Sequence, residues 1–289
     1  MSIFKQYCEK HNIVLHKGNN LHILLTLVWS RVLLLKLKVH KVLHSIHRPI
    51  VHYYAVCWNE EKMLPFMFDY YGQFVDYFTI YDNYSDDNSE KIIHSHDNTT
   101  IRKFSMGGEI NDYIYQDIKN NCWKQSRGRA DYVIVCDIDE FLYIEDPTRT
   151  LNMLLKAKIS LPLTEGYNMY SAEYPQKGTS ILKQVTKGIQ DNAYNKSLIF
   201  DPHRIVEINY MPGAHIAKPI GIVKKRAERL KVLHFKNLGL DYLLQRYHIL
   251  ANRLSEENKK QDLGTHYLYS DEKIIADFND AYSRCQTII

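Results

Sequence analysis

The 289-residue sequence lacks the glycine signatures of two large nucleotide-binding classes. It holds no P-loop and no Gly-x-Gly-x-x-Gly, which argues against a P-loop kinase and a Rossmann dehydrogenase. It also lacks paired cysteines. Cys8, Cys57, Cys122, Cys136 and Cys285 are odd in number, scattered, and form no Cys-x-x-Cys. Reduced thiols in a cytosolic protein are the simplest account. No internal repeat and no low-complexity tract is present. No cleavable signal peptide is recognisable, and no charge-free run is long enough to span a membrane. A net charge of +4 is weak, and no basic stripe is interleaved with aromatics. Nucleic acid is therefore not an expected partner.

What is present is an ordinary globular composition. Hydrophobic residues make up 45% and charged residues 24%, enough core for one large or two small domains. The 22 tyrosines suit polar ring-shaped ligands, but tyrosine also simply packs. Near the start, Leu21 to Val39 is strongly apolar, broken by Arg31, Lys36 and Lys38. His40, Lys41, His44, His47 and Arg48 follow. Two readings fit residues 21–48: a helix lying on an anionic membrane surface, or a helix packed on the main domain. The expected location is the cytoplasm, with peripheral contact at the inner face of the membrane under the first reading.

The most informative segment runs from Asp131 to Leu142. The apolar run Tyr132 to Cys136 reads as a buried strand. It ends in Asp137 and Asp139, with Glu140 directly after. Unpaired buried charge is costly, so three acids at a strand end need a reason. One reason is a hard divalent cation, which takes oxygen ligands and often bridges to a diphosphate. The plain alternative is a turn, where Asp is common.

Around this segment the pattern alternates between strands and helices. Val51–Cys57, Val75–Tyr81, Thr100–Phe104 and Asp131–Cys136 read as strands. Lys62–Tyr71, Ser89–Ser95 and Asn111–Ser126 read as the helices between them. That order predicts a mainly parallel sheet with helices on both faces. Ligands bind such sheets beyond the carboxyl ends of the strands. Three strands end there in polar clusters: Asn59-Glu60, Asp82-Asn83 and Asp137-x-Asp139. Further on, Thr148–Lys158 and Gly239–Leu254 read as helices, and Glu165–Glu173 and Ser197–Tyr210 as strands.

Taken in order, Cys57-Trp-Asn-Glu-Glu-Lys-Met-Leu64, Tyr81-Asp-Asn-Tyr-Ser-Asp-Asp87 and Cys136-Asp-Ile-Asp-Glu-Phe-Leu142 resemble the GT-A glycosyltransferases. The nearer likeness is to the family 2-like branch with an Asp-x-Asp-Glu-Phe motif. The resemblance covers roughly residues 50 to 255. It implies a GT-A catalytic domain over residues 49–289 behind an N-terminal helical extension, residues 1–48. A nucleotide half, 49–147, would precede an acceptor half, 148–255, and a helical tail, 256–289.

The resemblance also implies roles. Asn59 and Glu60 would border the nucleotide pocket, and Asp82 would face uracil or ribose. Asp137 would contact ribose or the metal's shell, and Asp139 would bind the metal, Mn2+ or Mg2+. His234, in Val232-Leu-His-Phe-Lys-Asn237, would complete the metal site. Lys196 and His215 fall where the family carries basic residues that meet a diphosphate. Each of these has a plain alternative as a turn cap, a structural histidine or a surface charge. Transfer with inversion also needs a base to take the acceptor's proton. Glu173 is the first candidate and Asp201 the second.

The expected function is metal-dependent transfer of a sugar from a nucleotide-diphosphate donor, UDP-sugar favoured, to a glycan or glycolipid. Surface polysaccharide or lipooligosaccharide synthesis is the expected setting, with inversion at the transferred sugar. The alternatives are a nucleotidyltransferase, or a non-catalytic carbohydrate-binding protein on a degenerate transferase fold.

Overall fold

A computed structural model describes residues 8, 10–15, 20–226 and 229–289. In chain order the strands are β1 (Ile13–Val14), β2 (Val51–Cys57), β3 (Tyr77–Asp82), β4 (Thr99–Lys103), β5 (Tyr132–Asp137), β6 (Glu140–Tyr143), β7 (Leu163–Ser171), β8 (Lys187–Gln190), β9 (Ile199–Phe200), β10 (Ile205–Glu207), β11 (Ile220–Ile222), β12 (Arg229–Leu238) and β13 (Gln286–Thr287). The helices are α1 (Asn20–Leu43), α2 (Leu64–Tyr71), α3 (Ser89–His94), α4 (Asp112–Asn121), α5 (Pro147–Lys156), α6 (Ile181–Gln184), α7 (Leu240–Ala251), α8 (Glu256–Lys260) and α9 (Asp271–Ser283).

The expected α/β class is the one observed. One sheet has the order β4-β3-β2-β5-β9, and its first four strands run parallel. Every residue of β2 is buried, as a strand covered on both faces requires. Cys57 pairs with Asp82, and Val56 with Asp137, so the acidic strand ends are level at one edge. The second sheet has the order β13-β8-β7-β12-β6. Only β12 and β7 run parallel there; the other pairs are antiparallel. A small sheet joins β1, β11 and β10.

Local sequence explains where the helices begin. The Asn111 side chain accepts from the backbone N–H of Tyr113 and Ile114 and caps α4. Asp146 caps α5, with proline in its first turn. The helix expected from Lys62 starts at Leu64, also with proline in its first turn.

Three expectations change. The N-terminal extension is not wholly helical, because β1 pairs with β11; residues 1–7, 9 and 16–19 of the expected extension lie outside the described residues. The tail is not wholly helical either, since β13 completes the edge of the second sheet against β8. The strand expected over Ser197 to Tyr210 is two short strands with a turn between them. All five cysteines are free thiols.

Helix α1 lies on this framework through one face. Ile23 and Leu27 pack with Val206, and Leu37 packs with Ile50 and Ala130. Lys41 Nζ lies 2.7 Å from the buried Asp131 Oδ2, which also accepts from the Ile50 backbone N–H. Ile50 and Asp131 immediately precede β2 and β5, so this part of α1 sits at the amino ends of those strands. Among the described residues, no helix is long and apolar enough to cross a membrane.

Candidate active site

Beyond the carboxyl ends of β2 and β5 lies a cleft of about 320 Å³. It gathers side chains from many parts of the chain. The turn after β5 contributes Asp137, Asp139 and Glu140. Helix α4 contributes Asp112, Tyr115, Gln116 and Lys119, spaced i, i+3, i+4, i+7 on one face. Helix α7 contributes Tyr242 and Arg246, and Arg253 follows it. Strand β12 brings His234 and Lys236, and the segment before β9 brings Tyr194 and Lys196.

Of the ten residues singled out from sequence, six line this cleft: Glu60, Asp137, Asp139, Lys196, His215 and His234. The other four do not. Asn59 joins two loops instead: its amide donates to Asp86 and accepts from the Asp86 backbone N–H. Asp82 is fully buried; it accepts from Ser85 N–H and Oγ and from Lys103 Nζ at 2.7 Å, and so caps its own turn. Glu173 is exposed on a loop. Asp201 is carried to the opposite edge of the sheet, because β9 runs antiparallel to β5 and Phe200 pairs with Val133. There its carboxylate meets His203 and Arg204. The two expected bases are thus placed away from the cleft.

Two buried lysines hold the acidic turn. Lys119 Nζ lies 2.7 Å from Asp137 Oδ1, and Lys196 lies 3.9 Å from Asp137 Oδ2. Lys196 also pairs with Glu140, and both side chains are almost wholly out of water. Burial opposes the charge on Asp137, but Lys119 and then Lys196 hold its carboxyl below the usual range. Burial likewise opposes the charge of Lys119, yet Asp137 and Glu140 raise its pKa.

Asp139 has a different partner. Strand β12 is sewn to its turn by a Phe235 N–H to Asp139 O bond of 2.8 Å. That register puts His234 Nε2 3.3 Å from Asp139 Oδ2. His234 Nδ1 lies 2.9 Å from Asn168 Oδ1, while the Asn168 amide nitrogen donates to Asp191. An amide oxygen only accepts, so Nδ1 donates to it, and Nε2 is the nitrogen that faces Asp139. Burial opposes the charge on Asp139, but His234, and to a lesser degree Arg246 and Lys196, pull its carboxyl well below the usual range. Tyr194 stacks on the His234 ring at 4.2 Å between centroids. Gly166 makes room for this, since a Cβ there would lie 2.3 Å from the Tyr194 Cβ.

The remaining wall is cationic and aromatic. Arg246 pairs with Glu60 and donates to Asn59 O at 3.0 Å. Burial pushes the Glu60 carboxyl up to about 7; Arg246 pulls against this, and Asp139 and Asp137 add to the rise. Lys236 Nζ sits 2.8 Å from His266 Nε2 and over the rings of Tyr247 and Tyr267. Burial lowers it to about 8. Arg253 stacks on Trp58, and its Nη1 is buried without a hydrogen-bond partner among the described residues. His215 Nδ1 meets Ala193 O at 2.8 Å, and burial, then Lys196, lowers its pKa.

Among the described residues, no three His, Cys, Asp or Glu side chains converge as a ready-made metal centre. Asp139 and His234 nevertheless fit as a pair. Their 3.3 Å separation is close to the roughly 3 Å between adjacent ligands of a cation bound at about 2.1 Å. The proton on Nδ1 and its amide acceptor are the usual outer support of a ligating imidazole. Asp137 does not fit as directly, because Lys119 already occupies one of its oxygens.

Fold and cleft together define an α/β protein whose ligand site lies beyond the carboxyl ends of parallel strands. The chain belongs to glycosyltransferase family 92, whose family model matches residues 52–266. Its architecture is of the GT-A class expected from the sequence. No curated protein matches the chain. Among solved structures, a mycobacterial protein matches at 14% identity and a TM-score of 0.28, over 46% of this chain and 44% of that one. A 4-diphosphocytidyl-2C-methyl-D-erythritol synthase matches at 10% identity and 0.31, over 55% and 77%. GalNAc-T7 with UDP, GalNAc and Mn2+ matches at 11% and 0.37, over 70% and 48%. The chain thus spans less than half the length of the first and the third. These likenesses are too slight to bear on substrates.

Two predictions follow from the buried charges. Lys196→Met strands Glu140 without its cation and should cost about 3–5 kcal/mol in a urea melt. Adding Glu140→Gln should recover most of that loss. A single variant within about 1 kcal/mol of wild type would show that the pair does not hold the turn.

The second concerns pH. Glu60 is raised from its unfolded value to about 7, so the native state holds the extra proton in between. Its contribution is fully present below the unfolded pKa and is lost as pH rises through about 7. Between the two pKa values, wild type should therefore lose about 1–3 kcal/mol relative to Glu60→Gln as pH rises. A stability difference that stays flat, or moves the other way, means that Arg246 wins over burial.

Proposed function

We propose that the cleft transfers a sugar from a nucleoside-diphosphate donor, with UDP the nucleotide to test first. The observation that carries this reading is the Asp139–His234 pair facing a wall of Lys236, Arg246 and Arg253. The charge balance supports it. Five carboxylates and five lysines or arginines line the cleft, so histidines apart its formal charge is zero. A diphosphate brought into such a site needs further positive charge. Asp139 and His234 would hold a divalent cation, Mn2+ or Mg2+, whose chemistry is to neutralise the leaving diphosphate as a Lewis acid.

The chain's own groups do the rest. Arg253 presents a buried N–H that lacks an acceptor, which suits a phosphate oxygen. Lys236, lowered to about 8 yet still mostly charged at neutral pH, suits the same partner. Lys119 and Lys196 are already spent on Asp137 and Glu140 and fix the turn rather than the ligand. The base is reassigned. Asp112 and Glu60 are the cleft carboxylates whose pKa is raised, in both cases by burial first, so they suit proton acceptance. Glu60 is tied to the Arg246 cation, whereas Asp112 accepts from the neutral Asn258 amide, which makes Asp112 the candidate to test first. The acceptor, a glycan or a glycolipid, would then approach along α4.

The metal is tested by thermal shift. UDP should raise the melting temperature of wild type when Mn2+ is present, by about 2–3 kcal/mol of stabilisation at ~100 times the dissociation constant. Asp139→Asn should abolish the metal-dependent part. Equal stabilisation by UDP with and without Mn2+, in both proteins, would remove the metal from the proposal.

The base is tested by transfer rates with a UDP-sugar panel. Asp112→Asn should lower kcat by about 10²-fold or more while leaving UDP binding intact. Glu173→Gln should leave kcat within a factor of ~2, as an exposed substitution outside the cleft lining should. The reverse pattern would restore Glu173 as the base.

A further inference from the structure

Helix α1 is packed through only one of its faces. Ile23, Leu27, Ser30 and Leu37 are buried. On the opposite side Leu21, Leu25, Val28, Val32, Leu35 and Val39 are exposed, at spacings of four and three. That period keeps them on one stripe along a helix about 36 Å long. Trp29 stands beside the stripe with 61% of its surface in solvent. A run of exposed aliphatic side chains this long is too costly to be a neutral feature of a surface.

Charge indicates what covers it. The helix has no acidic residue. Arg31, Lys36 and Lys38 are exposed, the first and third along one margin of the stripe. Lys36 rises within the apolar side, where its long stem lets the ammonium reach the headgroup level. Lys41 is engaged by Asp131 and belongs to the docking of the helix, not to this surface. An apolar stripe, a tryptophan at its side, basic margins and no acid are the chemistry of an in-plane contact with an anionic bilayer.

We infer that the exposed face of α1 binds anionic lipid surfaces, with the helix lying flat in the headgroup region. The apolar side chains enter the acyl boundary, and Arg31 and Lys38 meet lipid phosphates. Neither a nucleotide nor a metal takes part, so the inference stands or falls apart from the catalytic reading.

The full chain is sedimented with vesicles of phosphatidylcholine alone and of phosphatidylcholine mixed with phosphatidylserine. It should pellet with the mixed vesicles and be released by added salt. Val28→Glu combined with Val32→Glu should weaken this binding by roughly tenfold or more. Both sites are exposed, so the thermal melt should not move. A second measurement does not depend on that variant folding. Brominated lipids should quench wild-type fluorescence, and Trp29→Phe should remove most of the quenching. Absence of binding to anionic vesicles, binding untouched by the variant, or a wild-type dimer that the variant turns into monomer would each overturn the inference.

Discussion

The acidic turn after β5 depends on two lysines that reach it from distant parts of the chain. Lys119 comes from α4 and Lys196 from the segment before β9. Without them, Asp137 and Glu140 would be buried anions beside a third, Asp139. Unpaired charge of this kind would shift toward neutrality and lose its chemistry. With them, the turn is charged, rigid and already neutralised on one side. Of the three, Asp139 alone has no lysine or arginine in contact among the described residues; it faces His234 at 3.3 Å. The lysines therefore do more than stabilise. They decide which carboxylate would be left for the proposed cation.

Strand β12 makes that choice geometric. It lies between β7 and β6 and pairs with both, so its register is fixed from two sides. His234 is opposite Glu140 on one neighbour and Asn168 on the other. A slip of one residue would turn the imidazole to the other face of the sheet. Tyr194 closes over the ring, and Gly166 allows it to come that near. The register of β12 thus sets His234 against the turn that carries Asp139, which would suit the fixed bite of the proposed cation site.

Much of this was legible in the sequence because it is local. The strands of the parallel sheet announce themselves as short apolar runs, and their acidic ends follow directly in the chain. Asp137, Asp139 and Glu140 needed no more than that. The parts that were missed are held together by long-range packing. Lys119 looks like an ordinary helix lysine, and only its spacing from Asp112, Tyr115 and Gln116 marked a polar stripe on α4. The helical pattern of α7 was visible, but not that its Tyr242 and Arg246 would bring a phenol and a cation to the cleft. Glu173 was chosen for its position at the end of a predicted strand, and Asp201 lay within the strand expected over Ser197 to Tyr210. Strand direction then decided against Asp201, since an antiparallel strand ends at the wrong edge. Asp82 shows the limit of the strand-end rule: it is at the right edge, yet Lys103 and Ser85 consume its carboxylate.

The two ends of β2 and β5 separate the protein's two proposed surfaces. Their carboxyl ends open on the cleft, while Ile50 and Asp131 at their amino ends receive α1. The strands between are six and seven residues long, which sets the ends about 20 Å apart. A chain held on a bilayer by α1 would carry its cleft at the end of those strands away from the helix, so their length would add to its height above the lipid. A lipid-borne acceptor would then reach Asp112 only through a glycan long enough to span the gap, whereas one free in solution would meet no such limit. If both proposals hold, the same β-strands that align the acidic turn would also separate membrane from chemistry, and so would set a lower limit on the lipid-linked acceptor the site could use.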